Sequence, residues 1–316
     1  MKKLSLQEYN DLNIKISDAE TLERNFDWDF NNYNFTYSLA APKELYDFYS
    51  SLERPPTSDY SVYVTHELDD EYISNLVEIF EEVAQEKGFT KNELVSFIVA
   101  FIQNMEYTPD DVSKGYDEYP KYPLETLIDR GGDCEDTSIL TAAMLNELGY
   151  GVVLLALPGH MAVGVLGSNG LNGSYYEYQD ERYYYLETTN TGWNIGVIPP
   201  EYKDKEARIL PLRAKPLITH SWATQNSQAG YLGINVTVKN EGTATAYNTK
   251  VYTAFDAGNN MVYDEELSET FILEPGITGT CELRLKYPVG VTTRIITKIL
   301  VGDEIWDEST SEWFDI

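Results

Sequence analysis

The amino-acid sequence predicts an α+β fold in two parts, a mixed domain of helices and strands followed by an all-β domain. Apolar residues recur at helical spacing in the first part, and short apolar runs that suit buried strands follow them. Residues 216–316 carry strand patterns separated by turn signals and no helical stripe. The chain has 316 residues, and a single core rarely keeps growing beyond about 250–300 residues, so the length fits two domains.

Two amphipathic helices are predicted in the mixed domain. Asp69 and Asp70 can cap a helix that runs towards Lys87 and stops at Gly88. Thr90 opens the second helix, because Glu93 three residues later completes a capping box. Their apolar faces are formed by Ile73, Leu76, Val77, Phe80 and Val83 in the first helix and by Leu94, Phe97, Ile98, Phe101 and Ile102 in the second. This spacing is typical of helices that bury one face.

A third helix is predicted after Cys134, and it leads into antiparallel strands. Its apolar side closes at Gly149, a residue type that commonly ends helices. The strands are predicted over residues 152–157, 161–166, 183–189 and 193–197. A cysteine-bearing helix packed on an antiparallel sheet is an α+β arrangement.

These patterns divide the chain into three segments. Residues 1–65 form a lead-in that packs on the core, residues 66–214 form the mixed domain, and residues 215–316 form a β-sandwich. Proline pairs and a charged stretch between residues 199 and 216 mark the linker before the boundary. The strand candidates of the last segment are residues 234–238, 251–255, 271–273, 281–285 and 294–300.

The charge of the chain excludes some classes of partner. Asp and Glu number 52 and Lys and Arg 23, which gives a net charge of −29. A field of that sign repels phosphate backbones and anionic membrane surfaces, so we expect no nucleic-acid partner, whereas neutral, basic or metal-ion partners fit the charge. No apolar stretch of about 18 residues occurs, so no membrane span is expected in this chain. These patterns do not determine the oligomeric state.

Cys134 stands in a position where a thiol becomes reactive. The other cysteine, Cys281, belongs to the other predicted domain, so we expect both to be free. A free cysteine has a pKa of about 8.5, which a helix N-terminus or a neighbouring imidazolium lowers. Cys134 follows Gly131 and Gly132, which allow a sharp turn, and it precedes the third helix. The sequence therefore predicts Cys134 as a nucleophile.

Three acidic residues beside Cys134 oppose its ionisation. Asp133, Glu135 and Asp136 would raise the pKa of the thiol, so they must point away, be paired or hold a cation. Asp133 is also a good N-cap for the third helix. Asp136 could cap the same helix or pair with Arg130.

The base must be a histidine, and the chain has three. His66 lies before the first predicted helix and His220 beyond the linker, whereas His160 opens a strand after a Pro-Gly pair. A strand holds a side chain rigidly, so His160 is the candidate base. Glu187 lies on the next strand among aromatic and apolar residues, where it can orient the imidazole. An outward-facing strand glutamate is the alternative for Glu187.

These motifs together resemble the transglutaminase-like superfamily of papain-like thiol enzymes. Residues 122–127 read Tyr-Pro-Leu-Glu-Thr-Leu, 132–136 read Gly-Asp-Cys-Glu-Asp, 158–160 read Pro-Gly-His and 187–189 read Glu-Thr-Thr. Their order is similar to that in archaeal and bacterial members, including the transglutaminase-like cysteine proteinases. The resemblance covers residues 70–200. Separately, the string from Val236 to Phe255 resembles the immunoglobulin-like modules of archaeal and bacterial cell-surface proteins.

The resemblance implies a papain-like core with a catalytic triad. Cys134 would form the acyl-enzyme, His160 would be the base, and Glu187 would take the third position, where the family usually has Asp. The backbone N–H of Cys134 and a side chain would bind the oxyanion. Gln103 on the second helix is the candidate for that side chain, and a polar residue on the helix surface is its alternative reading.

The resemblance also bears on metal binding. Some proteinases of this kind bind calcium beside the nucleophile, and Asp133 and Glu135 supply the carboxylate oxygens that calcium prefers. Calcium there would cancel the charges that oppose the thiolate. The acyl-enzyme chemistry itself requires no cofactor.

Three functions fit these expectations. The first is a cysteine peptidase that cleaves peptide or isopeptide bonds. In the second, an amine replaces water, and the enzyme cross-links proteins by acyl transfer from glutamine. The third is a catalytically silent surface or peptide-binding module, which an intact cysteine and histidine argue against. The immunoglobulin-like module would be a spacer or docking domain and favours an extracytoplasmic or cell-surface location.

Overall fold

The computed structural model of the chain describes residues 20–54, 57–109, 119–167, 171–226 and 230–316. The chain divides into two compact units, Leu12–Ala214 and Lys215–Ile316. In its described residues the first unit combines helices and strands, whereas the second has strands only, so the predicted α+β class is confirmed. Residues 1–19 of the predicted lead-in lie outside the described residues.

The first unit begins with two strands and continues with helices, and most of its remaining strands follow the last helix. The helices are α1 (Lys43–Ser51), α2 (Ser61–Val64), α3 (Asp70–Lys87), α4 (Lys91–Gln103), α5 (Pro123–Asp129) and α6 (Cys134–Glu147). The strands are β1 (Thr21–Phe30), β2 (Tyr33–Pro42), β3 (Glu106–Tyr107), β4 (Gly131–Gly132), β5 (Val152–Leu157), β6 (His160–Leu166), β7 (Tyr175–Tyr178), β8 (Glu181–Leu186) and β9 (Arg208–Pro211). No helix in the described ranges is both long and apolar enough to cross a membrane.

Strands β1 and β2 form an antiparallel hairpin that packs on the helices. Its two-residue turn, Asn31 and Asn32, has φ angles of +48° and +64°, which suits the twist of a hairpin. The Trp28 ring lies 5.5 Å from the ring of Phe80 on α3 and 5.0 Å from that of Phe101 on α4. Aromatic contacts of this kind bury large areas, so they hold the hairpin against the domain.

The predicted bounds of α3 and the start of α4 are confirmed, but the side chain of Asp69 makes no capping hydrogen bond to α3. Gly88 follows α3 with a φ of +70°, a left-handed conformation that glycine adopts without strain. Thr90 caps α4, and Oε2 of Glu93 accepts the Thr90 backbone N–H at 2.8 Å, which completes the capping box. Helix α5 was not predicted, although Pro123 at its first position is typical of a helix start.

A five-stranded antiparallel sheet in the order β7-β8-β6-β5-β9 carries the candidate site. Helix α6 packs against β5 and β6, as a cysteine-bearing helix on an antiparallel sheet. Strands β7 and β9 were not predicted. The prediction of a strand over residues 193–197 is wrong, because this segment is a loop with a turn at residues 195 and 196. Gly196 there has a φ of +80°, and its backbone N–H bonds to the carbonyl of Tyr185.

The second unit contains two main sheets around one core. Its strands are β10 (Ile218–Asn226), β11 (Tyr231–Asn240), β12 (Ala246–Gly258), β13 (Met261–Leu267), β14 (Phe271–Leu273), β15 (Thr278–Lys286), β16 (Thr292–Thr293), β17 (Ile295–Val301), β18 (Glu304–Thr310) and β19 (Phe314–Asp315). One sheet has the order β10-β11-β15, and the other has the order β13-β12-β17-β18 with β14 beside β12. Ile234 and Val236 from the first sheet pack in one cluster with Val251 and Ile299 from the second.

Candidate active site

Two glycines position the start of α6. Gly131 and Gly132 form β4, which pairs in parallel with β3. A Cβ atom on Gly131 would collide with the carbonyl oxygen of Glu106, and one on Gly132 would collide with the carboxylate of Asp136. Glycine is needed at both positions because other atoms approach the backbone so closely. The chain then turns directly into α6, of which Cys134 is the first residue.

A buried lysine fixes the acid that caps α6. The Asp136 carboxylate accepts the backbone N–H of Lys121 at 2.7 Å and that of Asp133 at 3.4 Å, and it lies 2.9 Å from Lys121 Nζ. Burial raises the pKa of Asp136 to about 7, and the charge of Lys121 opposes that rise. Asp136 is therefore a cap, one of its two predicted roles. Its charge partner is Lys121, and the alternative pairing with Arg130 is not formed in this structure.

The thiol of Cys134 is bonded to an acidic neighbour. Its Sγ donates a hydrogen bond to Oε2 of Glu135 at 3.1 Å. Burial, with the charge and hydrogen bond of Glu135, raises the pKa of the Cys134 thiol, and the backbone N–H of Met161 opposes the rise. The thiol is therefore protonated at neutral pH in this structure, and its ionisation needs a base.

His160 is held between an acid and an aromatic ring. It begins β6 after a turn at Gly159, whose φ is +69°. Its Nε2 lies 3.1 Å from Oε2 of Glu187. Its ring stacks on Tyr202, with the centroids 4.6 Å apart and the planes 8° from parallel. These contacts fix both the direction and the tilt of the imidazole.

The thiol lies near the start of β6, the strand that His160 opens. The backbone N–H of Met161, the residue after His160, acts to lower the pKa of the Cys134 thiol against the rise that burial causes. An ionised carboxylate only accepts hydrogen bonds, so Nε2 of His160 carries the proton that Glu187 receives. In the neutral ring Nδ1 is then the acceptor that can take a proton. In the structure the thiol donates to Glu135 and not to this nitrogen.

Glu187 is buried, and its carboxylate accepts five hydrogen bonds. It lies directly after β8 and is 2% exposed, so it is not an outward-facing strand residue. Oε2 accepts from His160 and from the Tyr185 hydroxyl at 2.7 Å, and Oε1 accepts the Thr188 N–H together with the N–H and hydroxyl of Thr189. Burial would raise the pKa of Glu187, but the bond and charge of His160 and the two hydroxyls outweigh it and lower the pKa to about 2. The carboxylate is therefore ionised.

Gln103 has a different position from the one that an oxyanion donor needs. Its side chain is buried, so it is not a polar residue of the helix surface either. Its Nε2 donates to the carbonyl of Glu187 at 2.8 Å and to that of Trp193 at 3.2 Å, and its Oε1 accepts the N–H of Gly192 at 3.1 Å. Both amide hydrogens are used by the backbone. Gln103 therefore positions the segment after β8 and presents no donor to a substrate.

Asp133 and Glu135, the two predicted calcium ligands, flank Cys134 at the start of α6. Calcium takes six to eight oxygen ligands, usually with several carboxylates among them. Nowhere in the described ranges do three or more His, Cys, Asp or Glu side chains gather as a metal would require. The calcium site therefore stays a prediction, and no step of the chemistry below uses it.

Two tyrosines that were not predicted lie near the thiol. Tyr202 covers one face of the His160 ring. Tyr107 on β3 is 53% exposed, and burial of its hydroxyl, followed by the charges of Cys134 and Asp133, raises its pKa to about 12. With 25 tyrosines in the chain, residue type alone could not single out these two. The Pro-Pro pair before Tyr202 was a signal for an ordered turn, but it was interpreted as part of the linker.

Comparisons with known proteins assign no family. No family model and no curated protein matches the chain. Partial likenesses among solved structures include DesR, a β-glucosidase from Streptomyces venezuelae, at 15% identity over 30% of this chain with a TM-score of 0.21. A GH3 β-glucosidase from Bifidobacterium adolescentis matches at 15% identity over 31% with a TM-score of 0.22. The chain covers 15% and 17% of those two proteins, and such scores carry no functional argument.

Proposed function

We propose that this protein is a thiol hydrolase, a cysteine peptidase that cleaves peptide or isopeptide bonds through an acyl-enzyme on Cys134. The observation that carries the proposal is the bond between Nε2 of His160 and the buried, ionised carboxylate of Glu187. This pair lies at the start of the strand whose Met161 N–H favours the thiolate form of Cys134. A nucleophile near a base that a third group orients is the arrangement that covalent catalysis uses.

We also propose a fold family for each of the two units. We assign the first unit to the papain-like, transglutaminase-like core, supported by a helix with the cysteine at its start and by an antiparallel sheet with the histidine at a strand start. We assign the second unit to an immunoglobulin-like sandwich, supported by two antiparallel sheets that share one apolar cluster. Peptide recognition at a surface location would follow from this combination.

Acylation needs one proton acceptor, and His160 supplies it. Nδ1 of His160 accepts the proton of Cys134 Sγ as the sulfur attacks the carbonyl carbon of the substrate. The C–N bond then breaks, the imidazolium returns the proton to the leaving amine, and a thioester remains on Cys134. Glu187 stays ionised throughout and stabilises the imidazolium, because its five donors favour the charged carboxylate.

Deacylation uses His160 in the same way, with water as the attacking group and the thiol as the leaving group. His160 accepts a proton from water as the water oxygen attacks the thioester carbon. The C–S bond breaks, the acid leaves, and the thiol regains its proton. If a primary amine takes the place of water, the same steps give an amide, which is the acyl-transfer outcome.

The oxyanion needs donors at the start of α6. The backbone N–H groups of the first helical turn have no partner within the helix, and the helix dipole favours negative charge there. The N–H of Cys134 is one of these groups, and we assign it as the oxyanion donor. Gln103 is not part of the assignment, because its amide is bonded to the backbone.

One observation favours the catalytically silent alternative. The Sγ–Glu135 bond keeps the thiol protonated and directs its hydrogen away from His160. A peptide-binding module would keep such a site intact without turnover. The peptidase proposal requires that this bond break when Nδ1 takes the proton, so the two readings differ in whether His160 controls the reactivity of Cys134.

The test is alkylation of Cys134 by iodoacetamide between about pH 5 and pH 9, in a Cys281→Ser background. We expect His160→Ala to lower the rate near neutral pH at least tenfold, as loss of a general base does. If the alkylation rate has the pH dependence of an ordinary thiol and His160→Ala does not change it, the result would support the silent module. Incubation of active protein with a peptide library, with and without a fluorescent primary amine, then distinguishes hydrolysis from acyl transfer.

A further inference from the structure

A second hydrogen-bonded chain of nucleophile, base and acid lies in the Lys215–Ile316 unit. Oγ of Ser309 on β18 lies 2.9 Å from Nε2 of His220 on β10. Nδ1 of the same ring lies 2.6 Å from Oδ2 of Asp307, which also accepts the backbone N–H of His220 at 2.8 Å. The histidine side chain is 1% exposed, so its ring is fixed in place.

The hydrogen-bond roles in this chain follow from the acid. A carboxylate only accepts, so the proton of neutral His220 is on Nδ1 and points to Asp307. Nε2 is then an acceptor, and the hydroxyl of Ser309 donates to it. A serine hydroxyl that donates to an imidazole, itself oriented by a carboxylate, is the arrangement that activates serine for acyl transfer.

A tryptophan side chain also holds the serine. Nε1–H of Trp222 on β10 donates to Ser309 Oγ at 2.8 Å, so the hydroxyl oxygen is fixed while its own hydrogen points to the imidazole. Ser309 is partly exposed and Asp307 is 31% exposed, so a small reagent can reach this end of the chain.

We propose that Ser309, His220 and Asp307 form a second acyl-transfer site, independent of Cys134, that cleaves small uncharged or cationic esters. Ser309 Oγ attacks the ester carbon while its proton moves to His220 Nε2. The C–O bond breaks, the proton goes to the leaving alkoxide, and an acyl-serine remains. Water attacks the acyl-serine with His220 as base, which releases the acid and restores the serine. The net charge of −29 repels anionic esters, so they should be poor substrates.

The test is covalent labelling of the full chain by a fluorophosphonate, which forms an ester with an activated serine and releases fluoride. A Cys134→Ala background removes the thiol, so a result here does not depend on the peptidase proposal. We expect a single adduct by intact-mass spectrometry, mapped to Ser309 by peptide analysis. Hydrolysis of p-nitrophenyl acetate should fall about tenfold or more in Ser309→Ala, the minimum effect expected for loss of a nucleophile.

Two variants separate activation from an ordinary surface serine. Ser311→Ala removes a nearby hydroxyl that bonds only to backbone groups, the carbonyl of Glu312 and the N–H of Ile295, and it should leave the labelling unchanged. His220→Asn should abolish the adduct while the circular dichroism spectrum still shows a folded sandwich. Absence of an adduct on Ser309, when a known serine esterase is labelled in parallel, would overturn the proposal. An adduct that persists in folded His220→Asn would overturn it too.

Discussion

The Glu187 carboxylate reaches Nε2 of His160 at 3.1 Å from one position beyond the end of β8. Its two oxygens have separate partners. Oε1 is held by the backbone N–H groups of Thr188 and Thr189, which fixes the side chain and leaves Oε2 for the imidazole.

Glu187→Gln should reduce peptidase turnover by about 10²–10⁴-fold. The amide keeps the size of the side chain but removes the charge that stabilises the imidazolium. It can also turn an N–H towards His160. The measurement is kcat on the best peptide from the library. Glu181→Gln is the matched control, because that glutamate is exposed on the same strand. Equal turnover in wild type and Glu187→Gln would remove Glu187 from the mechanism.

Glu187 should also make the stability of the first unit depend on acid. Its pKa falls from 4.5 to about 2 on folding, so the unfolded state binds more protons between those values. The stabilisation is fully present above pH 4.5 and is lost as the pH falls through 2. A shift of that size corresponds to roughly 3 kcal/mol at most. Thermal unfolding should therefore shift less on acidification in Glu187→Gln than in wild type, and identical pH dependence would contradict the role of the charge.

Local rules predicted the parts of the fold that depend on neighbouring residues. The capping box of Thr90 and Glu93 and the stop at Gly88 are set within a few residues, and both are confirmed. Helix α5 had a comparable signal in Pro123 and the Glu125 side chain that bonds back to the Tyr122 N–H at 3.0 Å. That signal was missed because it lay inside a stretch rich in Tyr, Asp and Pro that looked like a loop.

Features that depend on distant contacts could not be predicted. Strand β9 pairs with β5 across about fifty residues of chain, and its proline content indicated a linker. Lys121 reaches Asp136 because both are buried beneath the turn before α6, and no sequence spacing marks that pair. The amide of Gln103 bonds to a segment more than eighty residues away. Such partners are selected by burial, which the sequence pattern does not show.

Glu135→Gln should speed alkylation of Cys134 near neutral pH. The carboxylate raises the pKa of the thiol by its charge and its hydrogen bond, and the amide removes the charge. Each unit by which the pKa falls gives about tenfold more thiolate, so we expect a rate increase of roughly tenfold. Glu82→Gln, at an exposed site on α3, is the control. An unchanged rate would show that Glu135 does not hold the thiol in its protonated form.

Gly132→Ala should destabilise the first unit by about 1–3 kcal/mol, the usual cost of an overpacked site. The new Cβ would collide with the Asp136 carboxylate, which Lys121 holds in place. Urea unfolding of the first unit measures the loss. Gly279→Ala is the control, because its Cβ would meet only side-chain atoms at 3.5 Å or more. Equal stability of wild type and Gly132→Ala would mean that the turn before α6 can move without cost.

Tyr202→Ala should lower kcat without a matching change in KM. The parallel stack of Tyr202 on His160 restrains the imidazole, and aromatic pairs of this kind contribute about 0.5–1.5 kcal/mol, which corresponds to roughly a two- to tenfold effect. Tyr202→Phe keeps the ring and should keep the rate, which separates stacking from the hydroxyl. Tyr247→Ala, a 62% exposed tyrosine of the second unit, is the control. If Tyr202→Phe lost as much activity as Tyr202→Ala, the hydroxyl would be the group that matters, and a role in positioning the ring would be wrong.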